Sequence, residues 1–175
     1  IVSVSKPSCA IPSAANRTIV NFGGQRMRSD RTDRSVSPDQ SVSLSDGTYN
    51  VTLMSWDGYS GREISDQPNE RWRVDFLDGT NVLTSSGVIR DLEDLVVAAQ
   101  KIETVSTDLV ISTPVVAVRA VHYAYPDYTV SNSVFPICAA FDETTPTPPS
   151  GPVPNVNLTV SPGNSVFSGE SVTLN

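Results

Sequence analysis

Alternation of apolar and polar residues with a period of two, broken repeatedly by turn dipeptides, is the feature that most limits what this chain can become. Tyr49, Val51 and Leu53 alternate with Asn50 and Thr52, and Trp72, Val74 and Phe76 alternate with Arg71, Arg73 and Asp75. A strand sends successive side chains to opposite faces, so each run describes a sheet with one buried and one wet face. Asp46-Gly47, Asp57-Gly58 and Asp78-Gly79 punctuate the pattern, their glycines tolerating the positive φ of tight turns. Shorter runs at 18–22, 41–44, 81–85, 109–112, 115–123 and 134–141 bring the expected total to about eight strands. Residue usage agrees, since 24 Ser, 24 Val and 15 Thr against 9 Leu favour pleated, half-buried surfaces over helices. The sequence therefore predicts an all-β chain whose residues 1–142 form an antiparallel β-sandwich. Val51, Leu53, Trp72, Val74, Phe76 and Val118 are its expected core.

One segment departs from this pattern. In residues 91–102, Leu92, Leu95, Val96 and Ala99 fall at helical spacing behind Asp91 as an N-cap. The consecutive Val96 and Val97 lower helix propensity, so one short helix and a strand or ordered loop compete evenly.

The clearest boundary follows. Five of the 13 prolines fall in the eleven residues 144–154, so 143–154 reads as a Pro/Thr-rich linker. Proline has no N–H for a ladder and fixes φ in the extended range, which makes such a segment a semi-rigid spacer. Residues 155–175 then read strand, turn, strand, too few for a sandwich of their own. Val156, Leu158, Val160, Val172 and Leu174 are the apolar positions of these strands and need a partner surface, either the rest of a repeat or another copy.

This last segment, with its valine-rich strand, Ser161-Pro-Gly turn and Ser168-Gly-Glu-Ser-Val-Thr-Leu174 strand, resembles the opening of bacterial immunoglobulin-like repeats in surface proteins. The resemblance covers the final eighth of the chain and implies the front of a longer modular protein. Asp46-Gly-Thr-Tyr-Asn-Val51, Gln67-Pro-Asn-Glu70 and Asn132-Ser-Val-Phe-Pro-Ile-Cys138 are similar to domains that precede such repeats in secreted proteins of uncultivated bacteria.

A net charge of -7 argues against polyanion partners, because the field of the whole molecule repels nucleic acid and anionic membranes. The charge is uneven: residues 1–34 hold Lys6 and five arginines against Asp30 and Asp33, or +4, leaving -11 elsewhere. This strip either meets the chain's own carboxylates or an acidic partner. No stretch has the length and apolarity of a membrane-spanning helix. The first residues lack the basic-then-apolar pattern of a signal peptide, as in a chain whose leader has been cleaved or trimmed away. Cys9 and Cys138 bracket the first domain, and an even pair on a β-rich unit favours one disulfide, formed in an oxidising compartment, over two buried thiols.

Chemistry is sparse. His122 is the single histidine, no Gly-x-Ser-x-Gly elbow accompanies it, and a structural histidine bonded to a backbone carbonyl is the expected role. Glu63 and Glu70 form one of many chance carboxylate pairs. Calcium, the one cofactor the sequence raises, has weak candidates in Asp30 and Asp33 and in Asp91 and Asp94, where turn and capping roles explain the residues better. Trp56, Tyr59, Tyr125 and Tyr128 are the candidates for an aromatic glycan platform, with packing the favoured alternative. Asn16, Asn50 and Asn157 each begin an Asn-x-Thr acceptor triplet. Lys6 and Lys101, the only lysines, leave a lysine–asparagine crosslink few ways to form.

The expected function is that of a non-enzymatic extracellular module, structural or adhesive, of a secreted or cell-surface bacterial protein or appendage. Its expected partners are copies of itself or neighbouring surface domains. The alternative is a carbohydrate- or protein-binding module of a secreted enzyme whose catalytic unit lies elsewhere.

Overall fold

The computed structural model describes residues 5–29, 35–56, 71–90, 99–123 and 132–144. These form twelve strands: β1 Arg17–Asn21, β2 Met27–Ser29, β3 Ser35–Val36, β4 Gln40–Leu44, β5 Gly47–Trp56, β6 Arg71–Leu77, β7 Val82–Ser85, β8 Ile89–Arg90, β9 Gln100–Ile111, β10 Val115–Tyr123, β11 Asn132–Val134 and β12 Pro136–Thr144. Two antiparallel sheets face each other. The first has the order β1-β12-β5-β9; the second runs β3-β10-β6-β7, with β4 also on β10 and β8 also on β6. A short pair, β11 with β2, completes the ladder set.

The strongest sequence pattern builds the interface between the sheets. Val51 and Leu53 from one side and Trp72, Val74, Phe76 and Val118 from the other are all 0% exposed. Phe76 meets Phe141 edge-on across the sandwich with centroids 5.2 Å apart, and Phe22 meets Trp72 likewise at 6.0 Å. Burying one such aromatic side chain stabilises the fold by about 2–3 kcal/mol, with edge-to-face pairs adding to it.

Four elements depart from the expected eight. β2, β3, β8 and β11 are two or three residues long, too short to carry a period. The run 134–141 is split at Phe135 into the end of β11 and the start of β12, and β12 continues to Thr144, two residues past the expected domain boundary. Residues 109–112 are the end of a strand that begins at Gln100, so the helical reading fails at 100–102, while 91–98 lie outside the described residues. β9 evaded detection because it lies at a sheet edge and is wet on much of both faces, which removes the alternation.

A hydrogen-bonded clip beside Ser86 ties β9 to the second sheet. Ser86 is clipped to β6, its N donating to the Val74 carbonyl and its Oγ accepting from Val74 N at 2.9 Å. The next residue, Gly87, donates its N–H to Ser106 Oγ at 2.7 Å, so its backbone lies directly on β9. A Cβ at this position would overlap the Val105 carbonyl oxygen, which is backbone and cannot swing aside. Gly87→Ala is expected to lower the unfolding free energy by about 1–3 kcal/mol in urea titration, the usual cost of overpacking. An unchanged midpoint would show that the contact is not close.

Candidate functional site

The second face of the first sheet explains what the N-terminal segment is for. β12 is buried on both faces from Pro136 to Phe141, and β5 loses its alternation from Leu53 to Trp56 for the same reason. The outer side holds a second apolar cluster of Ile11, Met54, Trp56, Phe135, Ile137, Cys138 and Ala140. Residues 5–16 lie over it as a strap. Cys9 is disulfide-bonded to Cys138, with Cα atoms 5.8 Å apart and 129 positions between them in sequence. Ala10 N donates to Met54 Sδ at 3.2 Å, and Ile11 is buried just beyond. Arg17 closes the far end, bidentate to Asp142 at 2.6 and 2.9 Å while its Nη1 donates to the Pro12 carbonyl at 2.7 Å.

Gly24 shows how tightly the near end is packed. Its φ of +62° suits glycine, and a Cβ there would stand 2.6 Å from Ile137 Cδ1 and 2.8 Å from Lys6 Cδ. Its carbonyl accepts from Trp56 Nε1 at 3.2 Å.

Trp56 therefore corrects the aromatic-platform reading. It is buried, edge-on to Phe135 at 5.9 Å, and serves packing under the strap instead of presenting a face to a sugar ring. Tyr59, Tyr125 and Tyr128, the calcium candidates Asp30, Asp33, Asp91 and Asp94, the pair Glu63 and Glu70, and the assembly positions Val156, Leu158, Val160, Val172 and Leu174 lie outside the described residues. Of the glycosylation triplets, Asn16 is exposed and donates to the Glu143 carbonyl, whereas Asn50 Oδ1 accepts from Asp108 N at 3.0 Å.

His122 lies where the strand pattern puts it but not with the partner expected of it. It is 0% exposed, and among the described residues neither Nδ1 nor Nε2 has a hydrogen-bond partner. The ladders align Ser35, His122 and Trp72 across β3, β10 and β6, and Ser35 Oγ and Trp72 Nε1 are likewise buried without partners. Four polar atoms thus form one unsatisfied row inside the sandwich. Burial lowers the His122 pKa to about 4, because no partner offsets the cost of charging the ring away from water. Sequence inspection missed this row, since only the three-strand register assembles it.

On the outer face of the second sheet Asp75 is nearly buried. It accepts from Arg73 Nε and Ser85 Oγ at 2.7 Å each, with Arg119 Nη2 3.9 Å away. This is a structural ion-pair group holding β6, β7 and β10 together. A groove of about 170 Å³ beside Asn16, Arg17, Ser45, Tyr49 and Glu143 is smaller than the pockets that enclose organic ligands, typically about 300–1,000 Å³. Among the described residues no three His, Cys, Asp or Glu side chains converge as a metal set.

No family model matches the chain, and no curated protein does. Two solved structures of infectious bursal disease virus are similar to it at 8% identity. The Gt-strain structure aligns over 82% of this chain and 36% of its own with a TM-score of 0.44. The Gx-strain structure aligns over 78% and 37% with a TM-score of 0.42. The chain thus spans little more than a third of the length of each.

The His122 row makes a prediction about acid. A histidine whose folded pKa lies below its unfolded value binds more protons when unfolded, so stability falls as pH drops through 6.5 and levels off near 4. The loss is about 3 kcal/mol. In urea titrations from pH 7 to 4, the wild-type chain should lose this much more stability than His122→Phe. Parallel pH profiles for the two would contradict the assignment.

Proposed function

We propose that the chain is a non-enzymatic structural module of an extracellular, secreted or cell-surface assembly, built to transmit tension and to contact copies of itself or neighbouring surface domains. The observation that carries this reading is the position of the Cys9–Cys138 bridge. It joins the strap before β1 to β12, and so encloses nearly all of the described sandwich in one covalent loop. Tension applied across the two ends of the domain then runs through the sulfurs, and the residues between them never carry it. A bridge of this kind is formed and kept in an oxidising compartment, which supports an extracellular setting. It also confers stability of roughly 4–5 kcal/mol on the chain-entropy account for so long a loop. The Pro/Thr-rich segment 143–154 and the repeat-like 155–175 suit a module strung with others.

Single-molecule pulling tests this reading. With the bridge closed, stretching the domain from its ends should release only the short segments outside the loop. After reduction, unfolding should release a further 430–460 Å or so, the extended length of the 129-residue separation. Equal lengthening in both states would overturn the proposal.

A further inference from the structure

Among the described residues β9 is the longest strand and lies at the edge of its sheet. β9 pairs with β5 along one edge and, among the described residues, has no strand on the other. An exposed edge of this length is a template for another chain unless something blocks it. From Val105 onward two devices do. Gly87 sits on the strand at Val105 and Ser106, and Asp108 takes a left-handed φ of 54°, kinking the edge beside register shifts opposite Tyr49 to Thr52.

Residues 100–104 carry neither device. Their register on Thr52 to Trp56 is unbroken, so this stretch is straight and regular. Ile102 is 48% exposed and shares a face with Met54, its ladder partner, which extends the outer apolar cluster to the rim of the sheet. Lys101 and Glu103 flank it on the opposite face, 3.1 Å apart as an ion pair.

We propose that residues 100–104 pair antiparallel with the same residues of a second copy, about a two-fold axis at Ile102. Antiparallel pairing centred there sets Ile102 against Ile102 and Gln100 against Thr104. It also sets Lys101 against Glu103 of the second copy, twice over by symmetry. No other centre on this stretch does so: an axis at Lys101 opposes two ammonium groups, and one at Glu103 opposes two carboxylates. Opposite charges directly across a ladder stabilise it and like charges destabilise it, so the sequence around Ile102 specifies one register of self-pairing. The joined sheets would also bring the two apolar rims together. This inference stands on the geometry of the edge and does not depend on the extracellular reading.

Sedimentation velocity on the full chain, with the disulfide closed, tests it. Wild type should form dimers as concentration rises toward the millimolar. Lys101→Glu and Glu103→Lys should each weaken dimerisation about ten-fold or more. An equimolar mixture of the two variants should dimerise at least as well as wild type, because one edge then carries two carboxylates and the other two ammonium groups. The mixture also guards against misfolding, since a misfolded variant would not be rescued by its complement. A wild type that stays monomeric would overturn the proposal. So would single variants that dimerise undiminished, or a mixture that does not associate.

Discussion

The middle of the first sheet, β12 from Pro136 to Phe141 and the end of β5, has to be shielded from water on both faces, and much of the molecule is arranged around that requirement. Phe141 and Ala139 on β12 face the opposing sheet, while Cys138 and Ala140 face the other way, and all four are fully buried. A two-layer sandwich normally leaves its outer faces wet. Here a dozen N-terminal residues with no strand of their own provide the third layer. Such a segment forms no ladder and loses conformational entropy on docking, so packing of Ile11 alone would hold it poorly. The bridge to Cys138 and the Arg17–Asp142 pair fasten it at two points.

Inside the sandwich the same economy is not followed. Ser35, His122 and Trp72 place in one row four polar atoms without partners among the described residues. A buried donor or acceptor without a partner costs about 1–3 kcal/mol, so this row opposes the gain from the surrounding core. Through His122 it also ties stability to acid, whereas Asp75 accepts from both Arg73 Nε and Ser85 Oγ.

Much of the architecture was legible in the sequence because period-two patterning is a direct image of a sheet with one wet face. Trp72, Val74 and Phe76 name their own face, and the structure buries all three. What patterning cannot convey is a strand with two buried faces or two wet ones. Pro136 to Phe141 reads as an unbroken apolar run because the strap covers it, and that run, taken with the cysteine inside it, was the available signal for a third layer; Leu53 to Trp56, broken by Ser55, is buried for the same reason. β9 sits at the other extreme, where Lys101, Glu103 and Thr104 at a wet edge gave no alternation to follow. Trp56 seemed suited to a binding surface only because its burial depends on residues more than 30 positions away in sequence, Gly24 among them. The His122 row was illegible for the same reason, since it is a property of register between three strands.

The central claim is that the Cys9–Cys138 bridge holds the strap over the outer face without being needed for the inner core. Amide hydrogen exchange under native conditions, before and after selective reduction, addresses it most directly. The account predicts that protection at Ala10 is lost on reduction, while Val74 and Phe76 on β6 and Val118 on β10 stay protected and exchange faster only in step with the lower global stability. Protection unchanged at Ala10, or lost together throughout both sheets, would contradict it.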